Sequence, residues 1–118
     1  MPRSDSLGQF EQLVLAAVVT LGENAYGVTI HKRVQDLASS EVVTLGAIYV
    51  TLDRLEDKGY VSSWLSEPIA ARGGRAKRCY QLEASGERAL KESIATARRM
   101  ASFVRTIWGD LDKELGKA

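Results

Sequence analysis

In the last third of the chain, Leu90, Ile94, Ala97, Ala101, Val104, Trp108, Leu111 and Leu115 follow one another at steps of 4, 3, 4, 3, 4, 3 and 4. A seven-residue repeat of this kind holds one apolar stripe on one side of an α-helix. Sustained over 26 residues, it describes a rod ~39 Å long. The chain has 118 residues, enough for one ordinary domain, and the part before the rod is too small to cover such a stripe from end to end. Part of the seam is therefore expected to meet a second chain, most simply a copy of itself about a two-fold axis. On this reading residues 84–118 form a C-terminal dimerisation helix, with the eight seam residues as its interface, and residues 1–83 form a separate unit.

That first unit reads as three helices and a hairpin. Phe10, Leu13, Val14, Ala17, Val18 and Leu21 lie on one face of a first helix, and the breakers Gly22 and Asn24 end it. A second helix begins near Tyr26 and buries Ile30, Val34, Leu37 and Ala38. In the third, Thr44 is placed to cap the N-terminus, and Leu45, Ile48, Leu52 and Leu55 form an inward stripe. Lys58 and Gly59 close it, a cation at the negative helix end followed by a glycine C-cap. "YVSSWL" and "KRCYQL" then read as two strands joined by a long tip that contains Pro68 and "RGGR". The expected fold is mainly α with a small β-hairpin: a winged helix-turn-helix over residues 1–83, followed by the long helix.

Composition narrows the function. Hydrophobic residues make up 45% of the chain and charged residues 26%, which suits a globular core rather than a disordered chain. No apolar run reaches the ~20 residues of a membrane span and the N-terminus does not read as a signal peptide, so a cytoplasmic protein without a membrane partner is expected. One cysteine, Cys79, and one histidine, His31, offer neither a disulfide nor metal-ligand spacing. No nucleophile, base and orienting group converge, so the chain is not read as an enzyme, and no cofactor or metal is expected.

The net charge of +1 is unevenly spread: between Pro68 and Tyr80 stand Arg72, Arg75, Lys77 and Arg78 with no acid. These cations can pair with phosphates, and Gly73 and Gly74 let the wing follow a duplex. The outer face of the third helix carries Gly46, Ala47, Val50 and Arg54 instead of the usual Lys and Glu. Small residues let a helix N-terminus approach a phosphate-bearing surface, and Ala47, Val50 and Thr51 carry methyl groups that can touch thymine methyls in a major groove. Packing on a neighbouring element explains that face equally well until the adjacent basic wing is considered.

"LGQFEQLVLAAV", "AYGVTI", "LGAIYVTLDRLEDKGYVSSW" and "RGGRAKRCYQLEASGERAL" resemble the PadR family of bacterial transcriptional regulators over roughly residues 7 to 90. The resemblance implies a homodimeric winged-helix protein that binds double-stranded DNA, usually a repressor at a palindromic operator. The single C-terminal helix resembles the short PadR subgroup. Carried onto this sequence, the DNA contacts would be Tyr26, Thr44, Leu45, Gly46, Ala47, Tyr49, Val50, Thr51, Arg54, Arg72, Gly73, Gly74, Arg75, Lys77 and Arg78. Two departures stand out. Glu83 occupies the place where a threonine commonly caps the last helix, which is expected to start less firmly. Cys79 replaces a larger or branched residue, and an exposed thiol there would invite oxidation.

Trp108 sits where a heptad normally takes Leu, Ile or Val. A large aromatic filling the dimer core accounts for it. The sharper reading makes Trp108, with Ala101 and Val104, a platform for a planar aromatic small-molecule effector, which the short-subgroup resemblance also implies. A winged-helix protein-interaction module that makes no use of DNA is the alternative to the regulator as a whole.

Overall fold

The computed structural model describes residues 7–39, 41–67 and 76–115. Its elements follow the expected order. Helix α1 spans Gln9–Leu21 and runs into a 3-10 turn at Gly22–Asn24; α2 spans Gly27–Ala38 and α3 Leu45–Asp57. Strands β1 (Val61–Leu65) and β2 (Arg78–Leu82) form an antiparallel hairpin, followed by α4 (Ala84–Trp108) and the short α5 (Leu111–Leu115).

Helix α1 is the axis of the core. Val14, Leu15, Ala17 and Val18 meet Ile30 and Val34 of α2, Ile48, Leu52 and Leu55 of α3, Tyr60, Val61 and Tyr80 of the hairpin region, and Leu90 of α4. Leu15 lies off the stripe expected for α1; it is fully buried because α1 packs against α2 and α3 on one side and against β2 and α4 on the other. Two expected stripe residues, Leu37 and Leu45, are instead exposed. They lie in the last turn of α2 and at the first position of α3, where the core backs only one side of the helix.

The hairpin pairs Val61 with Leu82, Ser63 with Tyr80 and Leu65 with Arg78. The free edge of β2 is covered by the chain entering α2: Tyr26 bridges Cys79, and the Tyr80 N–H donates to the Ala25 carbonyl at 2.8 Å. Cys79 is consequently flanked on both sides and buried, so the exposure that oxidation of this thiol would need is not met.

Helix α4 begins at a tight crossing. Glu83 makes no side-chain cap; its carboxylate accepts instead from Ser62 Oγ at 2.6 Å. The start is held by the backbone, with Glu83 N–H donating to the Tyr60 carbonyl at 2.9 Å, and by Ser85 Oγ donating to the Gly59 carbonyl at 2.7 Å. Gly86 sits against that Tyr60 carbonyl; a methyl group here would collide with its oxygen and lie 2.9 Å from Leu82 Cδ1. The expected single rod to Leu115 is interrupted. Gly109 adopts φ +80°, a conformation that favours glycine, and ends α4 at Trp108 after 25 residues. The apolar spacing runs through this stop in the sequence, where Leu111 and Leu115 continue the steps of 3 and 4, although they stand on the separate short α5.

One ion pair joins distant parts of the core. Glu11 and Lys58, at the N-terminal end of α1 and the C-cap of α3, lie 2.9 Å apart with side chains 8% and 20% exposed. Glu11 Oε1 also accepts from the Gly8 N–H at 2.9 Å. Burial pushes this carboxyl up, but the Gly8 N–H and Lys58, with a smaller contribution from Arg54, outweigh burial and hold it below the usual carboxylate range. A lowered folded-state pKa stabilises the fold above the unfolded value and loses that contribution as pH falls through the folded value. Glu11→Gln is expected to cost about 2 kcal/mol at pH 7. In urea unfolding, the gap between variant and parent should close as the pH drops below the carboxylate range.

Candidate nucleic-acid interface

The turn between α2 and α3 sets the angle at which α3 projects, and α2 side chains hold it from below. His31 Nε2 donates to the Val43 carbonyl at 2.6 Å; a carbonyl only accepts, so Nε2 carries the proton. Gln35 Oε1 accepts from the Val43 N–H at 2.9 Å, and Gln35 Nε2 donates to the Glu41 carbonyl. Thr44 Oγ1 then accepts from the Ala47 N–H at 3.1 Å and starts α3. The lone histidine is thus a structural clamp, not a ligand.

Outward from this turn, α3 presents Leu45, Gly46, Tyr49, Val50, Asp53 and Arg54, with Ala47 half-buried. Val50 is 58% exposed. Thr51, expected on this face, is only 4% exposed. It stands between Ile48 and Leu55 at helical spacing, so it belongs to the inward stripe and cannot reach a groove; its methyl is removed from the candidate contacts. The Tyr49 phenol lies against Gly27 at the start of α2, where a methyl group would come within 2.9 Å of Tyr49 Cε1.

The base of the wing closes the other side. The Lys77 ammonium stands 3.9 Å from the centre of the Tyr26 ring, a cation–π placement that directs the charge toward the N-terminus of α2. Arg78 Nη1 donates to Ser63 Oγ at 3.0 Å, and Ser63 Oγ donates to Glu56 Oε2 at 2.8 Å, tying the strand to α3. A groove of about 530 Å³ is lined by Tyr26, Gly27, Val28, Tyr49, Ala76, Lys77 and Arg78. It brings together both tyrosines and two of the four wing cations. Arg72, Gly73, Gly74 and Arg75 lie outside the described residues. Exposed Val28, beside Tyr49 at this groove, was not anticipated; its place two residues after Tyr26 was the available signal.

On α4, Leu90 is buried within its own chain, while Ile94, Ala97 and Trp108 are exposed and Ala101 and Val104 half-exposed. Met100, Phe103 and Ile107 widen the seam into a broad apolar face; Phe103 and Ile107 are 78% and 79% exposed, and Trp108 66%. Their steps of 3 and 4 mark a second stripe that the heptad reading passed over. Among the described residues no group of three or more His, Cys, Asp or Glu is arranged to hold a metal, and no helix is long and apolar enough to cross a membrane.

Residues 14–92 match a family model described as the transcriptional regulator PadR-like family. No curated protein matches the chain. Among solved structures, a PadR family transcription regulator from Clostridium difficile R20291 is 26% identical, with a TM-score of 0.69 over 86% of this chain and 100% of that one. A PadR-like transcriptional regulator from Bacillus cereus shares the fold at 18% identity and a TM-score of 0.68, over 85% of this chain and 91% of that one. The Aeropyrum pernix ORC1 protein, solved in complex with DNA, is similar over 78% of this chain but only 26% of its own length, at 30% identity and a TM-score of 0.61.

Proposed function

Because the chain belongs to the PadR-like family of transcriptional regulators, a family of transcription factors rather than enzymes, we propose that it binds a palindromic operator as a homodimer and acts as a repressor. The observation that carries this reading is the groove where Tyr26 and Tyr49 meet Lys77 and Arg78 beside the exposed face of α3. Helix α3 enters the major groove through Leu45, Gly46, Ala47, Tyr49 and Val50, with Thr44 at its N-terminus and Arg54 nearer the backbone. The wing cations Arg72, Arg75, Lys77 and Arg78 neutralise phosphates, and Gly73 and Gly74 let the tip approach them. The similarity to a protein solved with DNA supports the same direction.

Residues 1–83 read the DNA and residues 84–118 pair the two copies. The apolar face from Ile94 to Leu115 is too extensive for a solitary chain, and the partner covers Met100, Phe103, Ile107 and Trp108 together with the seam. The same interface holds a planar aromatic effector against Trp108, Ala101 and Val104 when one is present.

Selection of duplexes from a random pool by the full-length protein, at stated salt, tests the function. Enrichment of a palindrome with half-sites centred about 34–36 Å apart is expected. Binding without any enriched sequence would favour the protein-interaction module. In sedimentation at micromolar concentration the full chain should be a dimer, and a chain ending at Thr96, which keeps Leu90 in the core, a monomer with greatly weakened operator binding. A monomeric full-length protein would remove the dimer from the model.

A further inference from the structure

From Leu45 to Val50, the outward side of α3 carries one polar side-chain atom, Tyr49 Oη, and that atom is turned onto the start of α2 against Gly27. Thr44 Oγ1, at the cap, accepts from the Ala47 N–H. Readers of the major groove commonly present Arg, Lys, Asn or Gln to the donors and acceptors of guanine, adenine and cytosine. None of these stands on the first two turns here. What remains is alkyl: Val50 at 58% exposure, with Gly46 and Ala47 one turn before it, exposed Leu45 at the head of the helix, and Val28 of α2 in the same groove as Tyr49. The one feature of a base-pair edge that an alkyl group distinguishes is the C5-methyl of thymine. Arg54, a turn further along, follows the helix away from the bases, since recognition helices read with their N-terminal residues.

We infer that this protein selects its operator chiefly by apolar contact with thymine methyl groups, Val50 being the residue that reads them. Resting on the DNA-binding function proposed above, this names the class of sequence that α3 recognises: half-sites whose central positions are thymines, chosen by shape and methyl contact instead of hydrogen-bond pattern.

Deoxyuridine isolates the contact, because it pairs as thymine does, keeps the phosphates, and lacks only the methyl. Thymines of the operator enriched from the random pool would be replaced one at a time. At one or more positions in each half-site, the replacement should weaken binding about fourfold, the effect of one buried methyl-sized group. Placing cytosine at such a position should weaken binding further, and 5-methylation of that cytosine should recover about fourfold. The penalty for deoxyuridine should vanish in Val50→Ala, whose outward position leaves the fold intact. Full affinity with every thymine replaced would overturn methyl reading and leave selective DNA binding standing. A uridine penalty that persists unchanged in Val50→Ala would overturn the assignment to Val50. If the pool yields no enriched sequence, the DNA-binding function itself fails, and this inference with it.

Discussion

Val50→Glu is expected to abolish sequence-selective DNA binding while leaving the unfolding free energy within about 0.5 kcal/mol of the parent. The side chain points away from the core, so the substitution creates no cavity and buries no charge in the free protein. In the complex, each half-site would receive a carboxylate facing phosphates and base edges with no donor prepared for it. An unpaired buried polar group costs about 1–3 kcal/mol, more when charged. Two copies per dimer should lower affinity about a hundredfold or more. Titration of the enriched operator alongside thermal melting separates the two possibilities: a variant that melts far below the parent would place Val50 in the core and move the reading face elsewhere on α3.

Gly86→Ala should have the opposite profile, a large loss of stability from a single methyl group. Alanine is the better helix former by about 1 kcal/mol, which alone would favour the substitution. Against it stands the contact with the Tyr60 carbonyl, which cannot turn aside because it accepts the Glu83 N–H. Backbone must therefore move, separating the start of α4 from the hairpin. Overpacking of this kind costs up to about 3 kcal/mol, so the net effect should be about 2 kcal/mol of destabilisation. For a domain of this size that corresponds to a drop of about 10 °C in Tm, measured at matched protein concentration because the melting of the proposed dimer depends on it. A Tm equal to or above the parent's would show that α4 docks with slack. Gly27→Ala offers a contrast: its obstruction is the Tyr49 ring, a side chain at the surface that can swing away, so stability should change far less.

The three helices, the hairpin and Thr44 at the head of α3 were legible because each is written locally, in spacing, capping and β-branched runs. The departures arise where a neighbour distant in sequence decides. Glu11 reads as a surface charge until Lys58, 47 residues away, is brought beside it. Thr51 reads as a groove contact because of its methyl group, although its position between Ile48 and Leu55 is that of a core residue. Leu37 and Leu45 show the converse, apolar residues in phase with a stripe whose helix ends reach past the core. On α4 the heptad leaves out exposed Met100, Phe103 and Ile107, a parallel apolar row that a seven-residue template does not score. The stop at Gly109 needed the glycine weighed against a periodicity that continues through it. For the interface, the groove around Lys77 required Tyr26 to be folded back onto β2, a pairing of residues far apart in the chain.

The hydrogen bonds from His31 and Gln35 to the turn before α3 have a thermodynamic consequence. They weld α2, the turn and α3 into one body whose shape is set before any partner arrives. In the proposed complex, a head built this way meets a duplex already in its final conformation, so little chain entropy is lost there on docking. Discrimination between sequences then rests on how well a fixed surface fits each of them, and a poorly fitting site cannot be rescued by the head remoulding itself.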